Sequence, residues 1–154
     1  RDFELLNVIK KSLLDENIKA SSLEIEITEG VLMGGQSYIR DALVEINALG
    51  IKLSMDDFGT GYSSLSYLRE YAFDVLKIDQ SFIHGIPMNI ADCNLVEATI
   101  AMAHSLGLSV VAEGVETKEQ LSLLNEFKCD LVQGYYFSKP IPASQLLDFS
   151  NKYT

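Results

Sequence analysis

The chain has 154 residues, 47% of them hydrophobic and 22% charged, a composition that excludes disorder and suits one globular domain with a sizeable core. A formal charge of −10 excludes a sequence-independent nucleic-acid polymer as partner, because that role needs a basic face for phosphates. No apolar run approaches the ~20 residues of a membrane span and nothing at the start resembles a signal peptide, so no membrane contact is expected from this segment.

Residues 2–17 place Phe3, Leu5, Leu6, Ile9, Leu13 and Leu14 near helical spacing behind Asp2, a capping residue, and predict an amphipathic helix. Residues 23–28 alternate with a period of two. They predict a strand with Glu24, Glu26 and Thr28 on one side and Leu23, Ile25 and Ile27 on the other. A loop over 30–35 leads to a helix over 38–49, with Ile39, Leu43, Ile46 and Leu49 along one stripe. Residues 51–55 then predict a short buried strand that ends in Asp56 and Asp57, before a loop punctuated by Gly59 and Gly61.

A short helix over 63–71 opens at a serine pair suited to an N-cap, and a strand over 73–78 carries Lys77 near its end, followed by Asp79. The longest predicted helix, 89–106, is stopped by Gly107. Residues 108–112 are almost continuously apolar, as in a parallel strand buried on both faces, and end at Glu113, Gly114, Val115 and Glu116. Thr117 opens a helix reaching 127, a short fifth strand over 130–133 leads into the segment from Gly134 to Pro140, and a helix over 143–152 closes the pattern. This alternation predicts an α/β fold of about five parallel strands with right-handed helical crossovers, in a single domain over 1–154.

Every predicted strand delivers a polar group at its C-terminal end: Glu26 and Glu29, Asp56 and Asp57, Lys77 and Asp79, Glu113 and Glu116, and Gln133. A (β/α) barrel gathers such ends on one face, where enzymes of that architecture keep their active sites. Two carboxylates turned toward one spot repel unless a cation lies between them. The competing local reading is an Asx-turn, in which Asp57 caps the loop and Asp56 is solvated. A single Glu at a strand end is ordinarily a solvated loop residue, but five successive strands ending this way favour a site. Clustered carboxylates without His or Cys nearby select Mg²⁺ or Mn²⁺ over zinc. His84 and His104 read as structural or solvated. Cys93 and Cys129, with neither metal-ligand spacing nor a secretory context, read as buried or idle thiols in a reducing, cytoplasmic setting.

The runs Glu26 to Glu29, Asp56 to Gly61 (Asp-Asp-Phe-Gly-Thr-Gly), Leu76 to Asp79, Ala112 to Glu116 and Gln133 to Pro140 together resemble the EAL-domain family, bacterial phosphodiesterases that cleave cyclic di-GMP to linear pGpG. The resemblance implies a TIM-like (β/α) barrel, incomplete here, with a site for two Mg²⁺ or Mn²⁺ ions. Glu26 and Asp56 would bind one ion, and Asp56 would bridge to a second held with Asp57 and Glu113. It implies a catalytic set of Lys77, Glu113 and Asp57, in which Lys77 positions the attacking water and the phosphate and Glu113 is a candidate base. Glu29 would brace the loop from Asp57 to Tyr62, which in the family links metal binding to dimerisation. Asp79 and Glu116 would support the loops, while Gln133, Gly134, Tyr135 and Pro140 would line the substrate pocket.

The match departs from the family in one respect. The Glu-Ala-Leu tripeptide is absent, as is the Asn-containing strand that normally precedes the helix beginning near Phe3, and in the family these supply a Glu and an Asn to the first metal. The chain, which starts at Arg1 without Met, is therefore expected to be a piece of something longer, resembling roughly the last two-thirds of the domain. Two expectations follow. The chain alone is not a competent hydrolase, although its parent can be one, and open strand edges at 23–28 and near Val132 drive homodimerisation or other self-association. The alternative is a degenerate EAL domain that holds cyclic di-GMP as a receptor, or acts as an interaction module. A Mg²⁺-dependent barrel that stabilises an enolate suits Lys77 and Asp79 but not the Asp-Asp-Phe-Gly-Thr-Gly loop.

Overall fold

The computed structural model describes residues 3–33, 37–59 and 65–151. Its centre is one sheet of five parallel strands in chain order: β1 (Glu24–Thr28), β2 (Lys52–Phe58), β3 (Val75–Ile78), β4 (Ser109–Glu113) and β5 (Leu131–Gln133). Around it lie α1 (Phe3–Asp15), α2 (Glu29–Met33), α3 (Ser37–Ala48), α4 (Leu65–Glu70), α5 (Gln80–Ile83), α6 (Ile90–Ser105), α7 (Lys118–Glu126) and α8 (Leu146–Ser150). A helix stands in every connection between consecutive strands, because parallel neighbours cannot be joined by a tight hairpin. The predicted α/β architecture is the observed one.

Register decides what each face carries. Glu26 pairs with Ser54, Thr28 with Asp56, Ser54 with Val75, Lys77 with Val111 and Glu113 with Gln133. Side chains alternate along a strand, so these residues share one face. The opposite face presents Ile27, Leu53, Met55, Leu76, Ile78, Val110 and Ala112, all buried in one core with Leu43 and Ile46 of α3, Ile83 of α5, Ile100 of α6 and Leu124 of α7. The helices thus cover the apolar face, which leaves the polar face to assemble chemistry at the strand ends.

Two aspartates stitch the other end of the sheet. Asp74, just before β3, accepts the Leu53 N–H at 2.9 Å, and Asp130, just before β5, accepts the Val110 N–H at 2.7 Å. Asp130 also lies 2.8 Å from His104 Nε2, so His104 ties the end of α6 to the sheet.

The structure differs from the sequence reading in several places. β2 runs on to Phe58, so Asp56 and Asp57 belong to the strand and not to a following loop. The pairing with β3 shifts register between Met55 and Phe58, and Asp57 sits at φ 56°. A bulge of this kind inserts a residue that plain alternation lacks, and Asp is one of the few non-glycine residues that accept left-handed backbone. Residues Glu29 to Met33 form α2 where the sequence predicts a loop, and α5 has no counterpart in the predicted elements. The 143–152 helix begins as a 3₁₀ turn over Ala143–Gln145. The Asp2 cap, the glycines at 34 and 35, the Thr60-Gly61-Tyr62 loop and the serine-pair cap lie outside the described residues. Among the described residues the outer edges of β1 and β5 pair with no further strand, and no helix is long and apolar enough to cross a membrane.

Candidate active site

All four residues of β3 are buried, and Lys77 is the one that brings a charge into the sheet, with a side chain only 8% exposed. Its Nζ lies 2.6 Å from Glu113 Oε1, 2.7 Å from Glu26 Oε1 and 3.3 Å from Asp56 Oδ1. Strands β1, β2 and β4 therefore each aim one carboxylate at the ammonium on β3. Burial by itself lowers the Lys77 pKa. The hydrogen bonds to Glu113 and Glu26 and the charges of Glu113 and Asp56 outweigh it and hold the group above its ordinary value. Lys77 is thus a fixed ammonium, a donor and positive charge and not a base.

Beyond the bulge, Asp57 lines an adjoining cavity of about 290 Å³ with Asp79, Gln80, Glu113, Gly114, Glu116, Gln133, Gly134 and Tyr135. Partial burial, then the charges of Asp56 and Asp79, raise the Asp57 pKa, with Lys77 pulling the other way. Asp79 caps α5 by accepting the Ser81 N–H at 2.9 Å. Burial pulls its pKa upward, but hydrogen bonds from Ser81 and Gln80 and the nearby His84 prevail and hold it below the ordinary value. One wall is pressed close: a β-carbon on Gly114, at φ 73°, would lie 2.6 Å from Gln80 Cβ.

The structure brings together Glu26, Asp56, Lys77 and Glu113 around one point. Asp57, Asp79, Glu116, Gln133, Gly134 and Tyr135 stand in the adjoining cavity, which Glu113 shares. Glu29 is elsewhere: it opens α2, is 3% exposed, and faces a separate, mostly apolar cavity of about 350 Å³ with Phe58, Gly59 and Phe82. Pro140 is exposed and does not line the cavity that holds Tyr135. Sequence reasoning missed Gln80, Gly114 and Gln120. Of these only Gln120 left a local signal, its position three residues after Thr117, which is the spacing of a capping box.

The donor chemistry fits a hard divalent cation, since Glu26, Asp56, Asp57 and Glu113 offer only oxygen. Asp56 Oδ1 is buried with no hydrogen bond among the described residues and faces Lys77 across 3.3 Å. Among the described residues no three acidic, imidazole or thiol side chains stand close enough to chelate an ion as placed. The Lys77 ammonium holds the point on which the carboxylates converge and stands in there as the cation.

Carboxylates and a lysine gathered at the C-terminal ends of parallel strands make this an α/β unit of barrel type, with a polar centre where such barrels carry their chemistry. The chain belongs to the EAL domain family, which matches it over residues 2–140. It is 47% identical over 149 residues to the cyclic di-GMP phosphodiesterase NbdA of Pseudomonas aeruginosa, covering 97% of this chain and 19% of that protein. The chain spans about a fifth of the length of the curated relatives that it matches at 47% and 43% identity. The crystal structure of the EAL domain of Mycobacterium smegmatis DcpA superposes with a TM-score of 0.86 at 37% identity, covering 94% of this chain and 65% of that one. Klebsiella pneumoniae BlrP1, in a manganese and cyclic di-GMP complex, gives a TM-score of 0.83 at 33% identity over 89% of this chain and 35% of that one.

Proposed function

We propose that this chain supplies the carboxylate and lysine face of a cyclic di-GMP phosphodiesterase, hydrolysing the cyclic dinucleotide to pGpG in the cytoplasm. The observation that carries the reading is the convergence of Glu26, Asp56 and Glu113 on Lys77 at the strand ends. Relatives named for this activity, and a similar structure holding manganese with the dinucleotide, support it.

Glu26, Asp56, Asp57 and Glu113 would hold two divalent cations, Mg²⁺ or Mn²⁺. When bound, such a pair supplies positive charge to the attacking and leaving oxygens of a phosphoryl group. The chain's own residues do the rest. Lys77 donates to a phosphate oxygen and orients the attacking water, Glu113 accepts that water's proton, and Asp57 completes the acidic wall. Asp79 and Glu116 shape the loops beside it. Gln133, Gly134 and Tyr135 line the nucleotide pocket, and Glu29 braces the chain beyond β2.

A second reading, a receptor that holds cyclic di-GMP without cleaving it, is favoured by one observation: Lys77 already occupies, as a single positive charge, the point on which Glu26 and Glu113 converge and where a cation would sit. On either reading this chain by itself is a poor hydrolase, and its open β1 and β5 edges favour a homodimer or other self-association.

The test is hydrolysis of cyclic di-GMP in Mg²⁺ and in Mn²⁺, by this chain and by the chain supplied with the remaining strands of a barrel, with binding followed by calorimetry. Production of pGpG only by the completed barrel supports the phosphodiesterase. Binding without cleavage by the completed barrel transfers the case to the receptor. Sedimentation as a monomer at micromolar concentration would remove self-association.

A further inference from the structure

Gln120 is 5% exposed, and both ends of its side-chain amide are engaged. Oε1 accepts the N–H groups of Glu116 at 2.8 Å and Thr117 at 3.0 Å, and Nε2 donates to the carbonyl of Ile83 at 2.9 Å. Only the Thr117 contact is needed for the capping box that opens α7. The other two bonds leave the helix. One reaches Glu116 in the cavity wall, and the other reaches the last residue of α5, the helix that Asp79 caps.

The same two segments meet a second time above the amide. Gly114 packs against Gln80, the first residue of α5, with no room for a β-carbon. The chain leaving β3 with Asp79 and Gln80 and the chain leaving β4 with Glu113 to Glu116 are therefore locked together at two points, one a close backbone approach and one a buried amide. Severing the amide strands polar groups of both segments away from water, which favours their moving apart.

We propose that Gln120 is a positioning residue: by fixing residues 113–117 against α5 it sets the reach of Glu113 to Lys77 and the place of Glu116 in the cavity wall. The purpose of that placement rests on the reading of the site above, but the placement itself is measurable without catalysis.

The test follows the ¹⁵N resonance of the Lys77 ammonium in lysine-labelled protein, assigned by its loss in Lys77→Arg. Gln120→Met keeps length and burial and removes all three bonds, Gln120→Glu keeps the acceptor for Glu116 and Thr117, and Thr117→Ala removes only the capping hydroxyl. The expected result is a displaced Lys77 signal in Gln120→Met with hydrogen exchange about tenfold faster. Gln120→Glu should recover part of the change, and Thr117→Ala should lower the melting temperature without moving the signal. An unmoved Lys77 signal in Gln120→Met overturns the proposal, whether or not stability falls. Should Gln120→Met not fold, Gln120→Glu decides: an intermediate displacement supports the proposal and an unmoved signal overturns it. Calorimetry of cyclic di-GMP with the unsubstituted chain and with the completed barrel in Mn²⁺ runs alongside. No binding by either removes the functional reading, while the Lys77 signal still decides whether Gln120 positions the strand ends.

Discussion

Gly134 rests its α-carbon against the backbone of Val115, so closely that a β-carbon would overlap the Val115 nitrogen and carbonyl oxygen. Two hydrogen bonds close the contact: Val115 N–H donates to the Gln133 carbonyl at 3.0 Å, and Tyr136 N–H donates to the Val115 carbonyl at 2.9 Å. Gly134→Ala is expected to force the segments apart and cost about 1 to 3 kcal/mol, the range for overpacking. Thermal melting checks the cost, and hydrogen exchange should show lost protection at Val115 and Tyr136. An unchanged melting temperature would contradict the packing.

Lys77→Met leaves Glu26, Asp56 and Glu113 facing one another without a counter-charge. Breaking a fully buried pair costs about 3 to 5 kcal/mol. Glu26 is half exposed here, so a loss nearer to about 2 kcal/mol is expected by urea unfolding at neutral pH. Added Mg²⁺ or Mn²⁺ should restore more stability to Lys77→Met than to the unsubstituted chain, because the ion would take over the ammonium's role. Equal responses to the ion would count against a cation site at this point.

Ser54 is fully buried on the polar face of β2, and its hydroxyl has no hydrogen bond among the described residues. Removing an unsatisfied buried hydroxyl recovers desolvation cost. Ser54→Ala should therefore be neutral or up to about 1 kcal/mol stabilising in urea. A clear loss of stability would show that the hydroxyl is satisfied in solution.

The Asp130 carboxyl predicts an acid limb. Burial pulls its pKa up, but His104 and the Val110 N–H prevail and hold it below the ordinary 3.8. A carboxyl depressed in the folded state contributes stability that is complete above the unfolded value and is lost as pH falls through the folded value. Asp130→Asn should flatten the loss of stability below about pH 4, and denaturant midpoints from about pH 5 to about pH 2.5 measure it. Both partners are more than a third exposed, so the difference should be only a few tenths of a kcal/mol.

Burial pushes the Cys129 thiol up to about 11. Its thiol also donates to the Leu131 carbonyl at 3.2 Å. Alkylation at pH 8 should proceed slowly at this position in the native chain and rapidly in denaturant, with peptide mapping to separate it from Cys93. Rapid native labelling of Cys129 would refute the burial.

Much of the sheet is legible in the sequence because helical and strand periods alternate cleanly, and Glu24 to Thr28 divides its side chains between the faces as its alternation requires. Asp56 and Asp57 read as loop residues for a physical reason. A bulge adds a residue without changing composition, so a strand that contains one looks as if it ends early. The gathering of three carboxylates on Lys77 is legible only as a set of strand-end groups, since their meeting depends on cross-strand register, which no single strand encodes. The α5 helix is a single turn, too short to show a period, and Gln120 reads at most as a capping-box residue until its far partner, Ile83, is in place.

Because the sheet order equals the chain order, every strand among the described residues pairs only with its neighbours in sequence. No pairing has to wait for a distant part of the polypeptide, so the loop-closure entropy of each new strand is that of one helical connection. Assembly can spread outward from any adjacent pair, and β3, paired with β2 and β4, stands at the centre of the sheet with all four of its residues buried. When assembly starts from the central strands, β1 and β5 dock last, bringing Glu26 to the polar centre and Gln133 to the adjoining cavity.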